Sequence, residues 1–358
     1  MSSLFSREHL YSFTENILLK IGHSREHAQL GASVLLAADI RGIDSHGVAR
    51  LSGYVRLWEK QRVNATPIMK IIHETPSTAT LDADAALGLI SAPFAMNIAI
   101  EKAKQCGSGW VSVMNSNHFG IAGYHSMLAL EYDMIGFAMT NASPLVAPTF
   151  SKERLLGTNP ISVAIPALHE KPFVLDMATS SAANGKLEIA QREGKPIPLG
   201  WVQDKDGNDS TDANAVKNGG ALLPLGSSHD AAGHKGYGLG ALVDIMSAIL
   251  GGANYGPWVP PFVTFLDPLP DLPGKGLGHL VGAMRIDAFR PADDFKKHMD
   301  NWIQRFKSAP SVDISERVLI PGEPEFILTE QRLNNGIPLN ENVIKDLKIL
   351  GEKFNLLF

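Results

Sequence analysis

Cysteine is almost absent from this chain of 358 residues, which contains Cys106 alone. One thiol excludes an internal disulfide, and it excludes any zinc or iron–sulfur site built from several cysteines of this chain. A chain that does without disulfides suits a reducing compartment, so we expect a cytoplasmic protein.

Long hydrophobic runs are also absent. The apolar stretch from residue 90 to residue 100 is interrupted by Ser91, Pro93 and Asn97, and a membrane span needs about 20 apolar residues. Arg7 and Glu8 stand before the first apolar segment, where a signal peptide would have its own apolar run. We therefore expect neither a signal peptide nor a membrane partner.

No excess of positive charge is present. The formal net charge is −5, and Lys and Arg are spread along the chain, so no basic stripe indicates nucleic acid. With 44% hydrophobic residues, the chain is long enough for about two domains. A small molecule is the favoured partner.

Hydrophobic periodicity divides the chain into three parts. Apolar residues recur at helical spacing between residues 6 and 40, and helical spacing returns after Pro291. Short β-rich runs separated by Gly, Pro, Asn and Ser fill the middle. These patterns predict an α/β (α+β) protein whose sheet domain, residues 71–290, is inserted into a helical domain formed by residues 1–70 and 291–358. The predicted strands are residues 78–81, 110–114, 135–140, 161–165, 173–175 and 280–286.

Two phosphate-binding signatures are missing: G-x-G-x-x-G after a strand, and G-x-x-x-x-G-K-[ST]. The run Gly236-Tyr237-Gly238-Leu239-Gly240 has a different spacing, but it opens a predicted helix beside His234 and Lys235. The positive end of a helix and a nearby cation suit an anion. Close helix packing through small residues explains the same glycines.

His46 and Arg50 are four residues apart where a polar stretch gives way to helical spacing. On a helix they would share one face, with the guanidinium able to hold a carboxylate through two hydrogen bonds and the imidazole next to it. The alternative is an ordinary helix start, in which Asp44 or Ser45 caps free N–H groups and Arg50 pairs with a surface acid.

His118 follows an apolar strand-like run, and catalytic side chains are common at strand ends; a hydrogen-bonded loop histidine is the alternative. Asp176 follows a second predicted strand, where it is either a ligand or a cap. His229, Asp230 and His234 resemble metal ligands only superficially, because no H-E-x-x-H accompanies them. We expect no metal site.

Together these segments resemble the malate/L-lactate dehydrogenase family, which also contains ureidoglycolate, sulfolactate and diketogulonate dehydrogenases and a cyclic imine reductase. The matching motifs are Arg41-Gly42-Ile43-Asp44-Ser45-His46-Gly47 with Arg50 and Tyr54, Asn117-His118-Phe119-Gly120, Gly157-Thr158-Asn159-Pro160, Asp176-Met177-Ala178-Thr179, Gly185-Lys186, His234-Lys235-Gly236-Tyr237-Gly238 and Pro321-Gly322-Glu323.

The resemblance implies a non-Rossmann nicotinamide enzyme with a mixed or antiparallel sheet, which accounts for the missing fingerprint. It also implies a homodimer or higher homo-oligomer with the active site near the subunit contact. NAD or NADP would be the cofactor, with NAD slightly favoured. By this resemblance the cofactor would meet the residues 142–148, the predicted turn at Asp176, the predicted helix start and the motif near the chain end: Ala142, Pro144, Asp176, Met177, Ala178, His234, Lys235, Gly322 and Glu323.

The reaction expected from the resemblance is hydride transfer between nicotinamide and C2 of a 2-hydroxy acid. His118 is our general acid–base residue, and His46 is the alternative for that role or a hydrogen-bond donor to the substrate. Arg50 would hold the carboxylate, and Tyr54 would close the pocket. Malate is the first choice of substrate, while lactate, ureidoglycolate and sulfolactate stay open.

Two functions of other classes remain. One is a non-catalytic nicotinamide-binding sensor, although a binder needs no proton-transferring histidines. The other is a metal-dependent hydrolase that uses His229 and His234.

Overall fold

The computed structural model describes residues 2–228, 230–263, 266–313 and 315–358. Within those ranges the strands are β1 Ser2–Phe5, β2 Lys70–Glu74, β3 Thr78–Asp82, β4 Ser108–Ser116, β5 Met134–Thr140, β6 Ile161–Ile165, β7 Phe173–Met177, β8 Val202–Gln203, β9 Asp209–Ser210, β10 Ala221–Leu222, β11 Leu277–Arg285 and β12 Ile337–Asn340. The α-helices are α1 Arg7–Lys20, α2 Arg25–Ile40, α3 Leu51–Glu59, α4 Gly88–Cys106, α5 Ala122–Met127, α6 Asn184–Glu193, α7 Gly233–Asp244, α8 Ala292–Lys307, α9 Glu323–Asn335 and α10 Glu341–Phe354. No helix in the described ranges is both long enough and apolar enough to cross a bilayer.

A seven-stranded mixed sheet forms the centre, in the order β2-β3-β4-β11-β5-β6-β7. The pair β3 and β4 is parallel, and the other neighbours in this sheet are antiparallel. This confirms the predicted mixed α/β class. The predicted strand at residues 161–165 coincides with β6, but β7 extends to Met177, so Asp176 and Met177 end a strand and the predicted turn there is wrong.

Helix α4 packs on the middle of this sheet, mainly through alanines and other small residues. The helix approaches so closely that a Cβ on Gly109 of β4 would lie 2.0 Å from the Ala99 carbonyl oxygen. Glycine at that position lets the helix lie directly on the start of β4. At the other end of the strand, a Cβ on Gly88 of the same helix would lie 2.3 Å from the carbonyl oxygen of Asn117, the residue before His118.

Helices α1 and α2 begin at serine N-caps, Ser6 and Ser24, each of which accepts a backbone N–H three residues on. The end of the chain returns to them: β12 pairs with β1, and α10 contacts α1 and α3. A second apolar core lies between these elements and includes the fully buried Tyr54. The predicted return of the C-terminal part to the N-terminal helices therefore holds for α9 and α10.

Helix α8 differs from that expectation. The Asp300 carboxylate accepts backbone N–H groups of residues 168–170, in the loop before β7, and Trp302 meets Phe173 of β7 edge to face. These contacts attach α8 to the sheet rather than to the N-terminal helices. The domain division at residues 70 and 291 stays a prediction. The contacts of α8, which lies after residue 291, are with the sheet domain as predicted and not with the N-terminal helices.

Candidate active site

The segment with His46 and Arg50 does not start an α-helix, so that expectation from the spacing is wrong. It forms two short 3₁₀ turns, Asp44–His46 and Val48–Arg50, and α3 begins only at Leu51. The ends of the segment still meet, because the Arg50 Nε donates a hydrogen bond to the carbonyl oxygen of Ser45.

Asp39, near the end of α2, shapes this segment. Its Oδ2 accepts the Val48 N–H at 2.8 Å. Gly47 passes so close to the same carboxyl group that a Cβ would lie 1.9 Å from Oδ1, which only glycine avoids. Burial raises the pKa of Asp39 to about 8, while the Val48 hydrogen bond opposes that rise.

His118 lies two residues beyond the end of β4, as predicted from the strand pattern. The preceding Asn117 is buried, and its Nδ2 donates to the carbonyl oxygens of Arg62, Ala85 and Ala86 at 3.0–3.2 Å. These bonds hold the end of the strand against the loop after α3, so the His118 backbone is held from both sides.

The structure brings His46, Tyr54 and His118 together, although they come from separate segments. The two imidazole rings are stacked with centroids 5.5 Å apart. The Tyr54 hydroxyl lies 2.7 Å from the His118 Nδ1, so its polar end contacts the imidazole rather than simply closing a pocket. The Ser45 Oγ is 2.9 Å from the His46 Nδ1.

Hydrogen bonds define the tautomer of His118. The Gly120 backbone N–H points to Nδ1 at 3.3 Å, and a backbone N–H can only donate. Nδ1 is therefore the acceptor, for Gly120 and for the nearer Tyr54 hydroxyl, and the proton of the neutral ring is on Nε2. The second nitrogen of His118 is the one left to exchange a proton with a ligand.

Burial keeps both imidazoles neutral. It lowers the pKa of His46 to about 4, with Arg50 adding to the effect, and it also lowers the pKa of His118 well below the ordinary value. His46, Arg50 and His279 each add to the lowering at His118. Burial raises the pKa of Tyr54, so its hydroxyl stays protonated and can donate.

Phe262 is a member of this cluster that the sequence does not reveal. Its ring centroid lies 4.9 Å from that of His118 and 5.5 Å from that of Tyr54, and the Arg50 guanidinium carbon is 6.0 Å from it. A Cβ on Gly53 would touch the ring at 2.7 Å. The apolar ring thus lies near both Arg50 and His118, and no motif near residue 262 signals this.

Two cavities flank the cluster. Arg50 and Ser45 line one of about 580 Å³, which is enough for a small organic ligand. His118 lines the other, of about 30 Å³, together with Ala142. Pro144 is two residues farther along the same loop. Of the proposed cofactor residues, Ala142 is therefore the one that shares a cavity with His118.

Asp176 and Gly322 share a different cavity, of about 320 Å³. The Asp176 Oδ2 accepts the Gly123 N–H at 2.7 Å, and burial raises the pKa of this carboxyl to about 6. Met177 ends β7, and Ala178 follows it. The Asp176 motif and the Gly322 motif are about 145 residues apart in the sequence, and residues of both line this one cavity.

Arg41 and Glu325 line this third cavity too, and sequence reasoning assigned neither. Arg41 is 6% exposed, and its Nε has no hydrogen-bond partner among the described residues. Its guanidinium lies 5.0 Å from the Phe326 ring. A buried, unsatisfied N–H group beside a carboxylate is what a polar ligand would satisfy.

Glu323 has structural partners instead. Its carboxylate forms ion pairs with Arg317 at 2.9 Å and with Lys307 at 3.4 Å, and it accepts the Ile320 N–H. These contacts tie the start of α9 to α8. They account for the glutamate without a cofactor.

His234 and Lys235 stand in the first turn of α7 and are exposed. The neighbouring glycines pack against backbone: a Cβ on Gly236 would lie 2.1 Å from the Leu225 carbonyl oxygen. Close packing thus explains the spacing of Gly236, as the alternative predicted.

The metal-hydrolase alternative involves His229, which lies outside the described residues. In the ranges that are described, no three His, Cys, Asp or Glu side chains are close enough to hold a metal ion.

Comparison with known proteins shows which family the chain belongs to. The family described as malate/L-lactate dehydrogenase matches residues 5–348. A malate dehydrogenase of Pyrococcus horikoshii is 42% identical over 348 residues, which are 97% of this chain and 94% of that protein. A ureidoglycolate dehydrogenase (NAD(+)) of Escherichia coli O157:H7 is 33% identical, over 96% of this chain and 94% of that protein.

The solved structures show the same relationship. A malate dehydrogenase from Entamoeba histolytica superposes with a TM-score of 0.92 at 33% identity, over 100% of this chain and 99% of that one. The chain therefore belongs to the malate/L-lactate dehydrogenase family and is a 2-hydroxy acid dehydrogenase of the malate dehydrogenase-like kind.

Proposed function

We propose that this chain catalyses reversible hydride transfer between a nicotinamide and C2 of a small 2-hydroxy acid, with malate and oxaloacetate as the preferred pair. The single observation that carries the proposal is the convergence of His46, Tyr54 and His118 beside Arg50. The 42% identity to a malate dehydrogenase supports malate over lactate, ureidoglycolate and sulfolactate.

His118 is the acid–base residue in this proposal. In oxidation the neutral ring, with its proton on Nδ1 and hydrogen bonded to the Tyr54 oxygen, takes the hydroxyl proton at Nε2, and in reduction the protonated ring gives the Nε2 proton to the carbonyl oxygen of the oxo acid. The ring proton therefore moves from Nε2 to Nδ1 before oxidation. The contact of Nδ1 with Tyr54 keeps Nε2 turned to the substrate. Because burial keeps the imidazole neutral, Nε2 is then free to accept a proton.

Arg50 binds the carboxylate that all of these acids share, through parallel hydrogen bonds from the guanidinium. It borders the cavity of about 580 Å³, which supplies the route for a small anion. His46 is a hydrogen-bond donor to the substrate: when Ser45 donates to its Nδ1, the ring proton lies on Nε2. His46 as the acid–base residue is the alternative, and mutagenesis separates the two.

A nicotinamide dinucleotide supplies the hydride acceptor or donor when bound. The chain offers residues that fit such a group. Ala142 borders the His118 cavity, and Asp176 and Gly322 border a cavity that contains the unsatisfied Arg41 Nε. Ribose hydroxyls would satisfy both the carboxylate and the guanidinium there.

NAD is preferred to NADP in this proposal. The third cavity is lined by two carboxyl groups, from Asp176 and Glu325, and by one guanidinium, from Arg41. A 2′-phosphate would be repelled by the carboxylates. The relative named as an NAD(+) enzyme supports the same choice.

A homodimer is the proposed assembly. Helix α7 and the π-helical turn Ile245–Ile249 after it expose a run of apolar side chains, from 37% at Tyr237 to 59% at Leu250. Contiguous exposed apolar residues of this kind mark contact surfaces, and a second copy of the chain is the occupant we propose.

The test of the proposed function is a panel of 2-oxo and 2-hydroxy acids with NAD(H) and NADP(H), followed by absorbance of the reduced nicotinamide. We expect the highest kcat/KM with oxaloacetate and malate, and a preference for NAD. Stoichiometric dinucleotide binding without turnover of any acid would contradict the proposal and favour a sensor.

The assembly is tested separately by sedimentation of the double variant Leu242→Lys, Ile249→Lys. We expect the native chain at twice 38.6 kDa and the variant at 38.6 kDa. Phe289→Lys, at a residue that is 75% exposed and outside this surface, is the control and should leave the mass unchanged. A native protein that sediments as a monomer would contradict the dimer.

A further inference from the structure

Arg62 lies next to the candidate active site and has no part in the proposed mechanism. It follows α3 and lines the cavity of about 30 Å³ that His118 also lines. The Asn117 side chain, adjacent to His118, donates to the Arg62 carbonyl oxygen at 3.2 Å. The position of Arg62 is therefore set by the same contacts that hold His118.

The described hydrogen bond of the Arg62 guanidinium goes from Nη2 to the carbonyl oxygen of Pro261. This acceptor is neutral, in a cavity whose other walls include Leu57, Pro260 and Leu277. Burial lowers the pKa of Arg62, and the charge of Asp267 partly offsets that effect. A guanidinium forms a stronger hydrogen bond with an anion than with a neutral carbonyl oxygen. An anionic group that replaced the Pro261 carbonyl oxygen would therefore be bound more tightly.

Pro261 and Phe262 together cover two cations. The Phe262 ring lies beside Arg50, and the preceding carbonyl oxygen accepts from Arg62. Ser143 holds this pair, because its Oγ accepts the Phe262 N–H at 3.0 Å. One short segment thus contacts both guanidinium groups and the His118 ring.

The cavity beside His118 has room for about one water molecule. A four-carbon acid is larger, so an acid that enters this cavity would have to displace part of its wall, which includes Pro261 and Phe262. The Arg62 guanidinium has five N–H donors, and the one described bond uses only one of them. Its other donors are available to a ligand that reaches His118 through this cavity.

We infer that Arg62 is the specificity-determining second cation of the acid site, and that it binds an anionic group at the far end of the substrate. The preferred substrate class is then a dianionic 2-hydroxy acid, with one carboxylate on Arg50 and the second anionic group on Arg62. This inference rests on the proposed function and deepens it.

The test compares Arg62→Gln with the native enzyme on malate, which has a second carboxylate, and lactate, which has a methyl group there. Glutamine keeps a donor for Pro261 and removes the charge. We expect kcat/KM for malate to fall roughly 10- to 100-fold, the loss for one hydrogen bond between charged groups, while kcat/KM for lactate changes less than about threefold. Arg62→Lys should restore part of the malate activity.

Two inhibitors give a second readout that does not depend on lactate turnover. Hydroxymalonate carries two negative charges and oxamate one, and their inhibition constants are measured against the acid that is turned over best. Arg62→Gln should weaken hydroxymalonate about as much as malate and leave oxamate unchanged. Arg56→Gln, at an exposed arginine of α3 outside the cavity, should leave both unchanged.

The outcomes separate this inference from the proposed function. Equal losses with monoanions and dianions, or no loss with either, would overturn the role of Arg62 while the native enzyme still turns over 2-hydroxy acids. A native protein that turns over none of them would overturn both.

Discussion

The acid site and the start of α7 differ in how they are held. His46, Tyr54 and His118 come from segments up to 72 residues apart, yet Tyr54 is fully buried, both histidines are half-buried, and the three side chains are in contact and hydrogen bonded. His234 and Lys235 are adjacent in sequence and exposed, next to a glycine that close packing explains. Removing polar side chains from water costs free energy. Polar residues that are distant in sequence but come together out of water are therefore a stronger indication of function than exposed residues that are adjacent in sequence.

The sharpest way to break this comparison is His118→Ala. Removal of an acid–base group commonly lowers turnover by about 10²–10⁴-fold, and we expect kcat to fall in that range with little change in the melting temperature. Steady-state kinetics with the best acid measure it. His73→Ala, at an exposed histidine of β2, is the matched control. Near-normal turnover in His118→Ala would move the role to His46.

Arg50→Ala tests the second member of the acid site. Losing a bidentate carboxylate contact removes about 1.5–3 kcal/mol of binding, so we expect the KM for the acid to rise roughly 10- to 100-fold, with a smaller effect on kcat. Arg50→Lys should recover part of the loss, because an ammonium keeps the charge without the planar pair of donors. An unchanged KM in both variants would place the carboxylate elsewhere.

The pH dependence of the free energy of unfolding tests whether His46 is held neutral in the acid site. The pKa of His46 is about 4 in the folded chain and about 6.5 when unfolded. Stability from the neutral ring is therefore complete above pH 6.5 and is lost as the pH falls toward 4. Between pH 7 and pH 5 this amounts to about 2 kcal/mol of the free energy of unfolding.

Urea unfolding of His46→Gln at both pH values measures that contribution, because the variant lacks the titrating ring. The raised pKa of Asp39 acts in the opposite direction, but it is common to both proteins and cancels in the difference. The exposed His73→Gln should follow the native protein. Parallel pH dependence of the native protein and His46→Gln would show that the imidazole is not held neutral.

The smallest effect is expected at α7. An exposed lysine that pairs with a bound anion is worth about 0.2–1 kcal/mol, so Lys235→Ala should raise the KM for the dinucleotide by at most about fivefold without changing kcat. Lys217→Ala, at an exposed lysine outside α7, is the control. An unchanged KM in Lys235→Ala would leave packing as the whole explanation of this motif.

The sequence predicts the regular elements well, because their periodicity is local. The strand at residues 161–165 and the two helices with Ser6 and Ser24 caps are found where the pattern indicates. The helix start at His46 fails, because Asp39 and Gly47 bend the chain into 3₁₀ turns through a contact that spacing does not encode.

Residues that join the site from loops could not be predicted. Phe262 is 144 residues from His118, in a proline-rich segment without a motif, and Arg62 follows a helix in which nothing marks it as functional. Phe262 precedes β11, and the sheet order places β11 beside β4, which leads to His118, while Arg62 is held there by the Asn117 side chain. Local patterns do not contain that order. Arg41 and Glu325 were missed for the same reason.

The most direct measurement of the central claim is a crystal structure of the protein with NADH and oxamate. The account predicts the oxamate carboxylate on the Arg50 guanidinium and its carbonyl oxygen within hydrogen-bond distance of the His118 Nε2. Oxamate bound elsewhere, without contact to either Arg50 or His118, would contradict it.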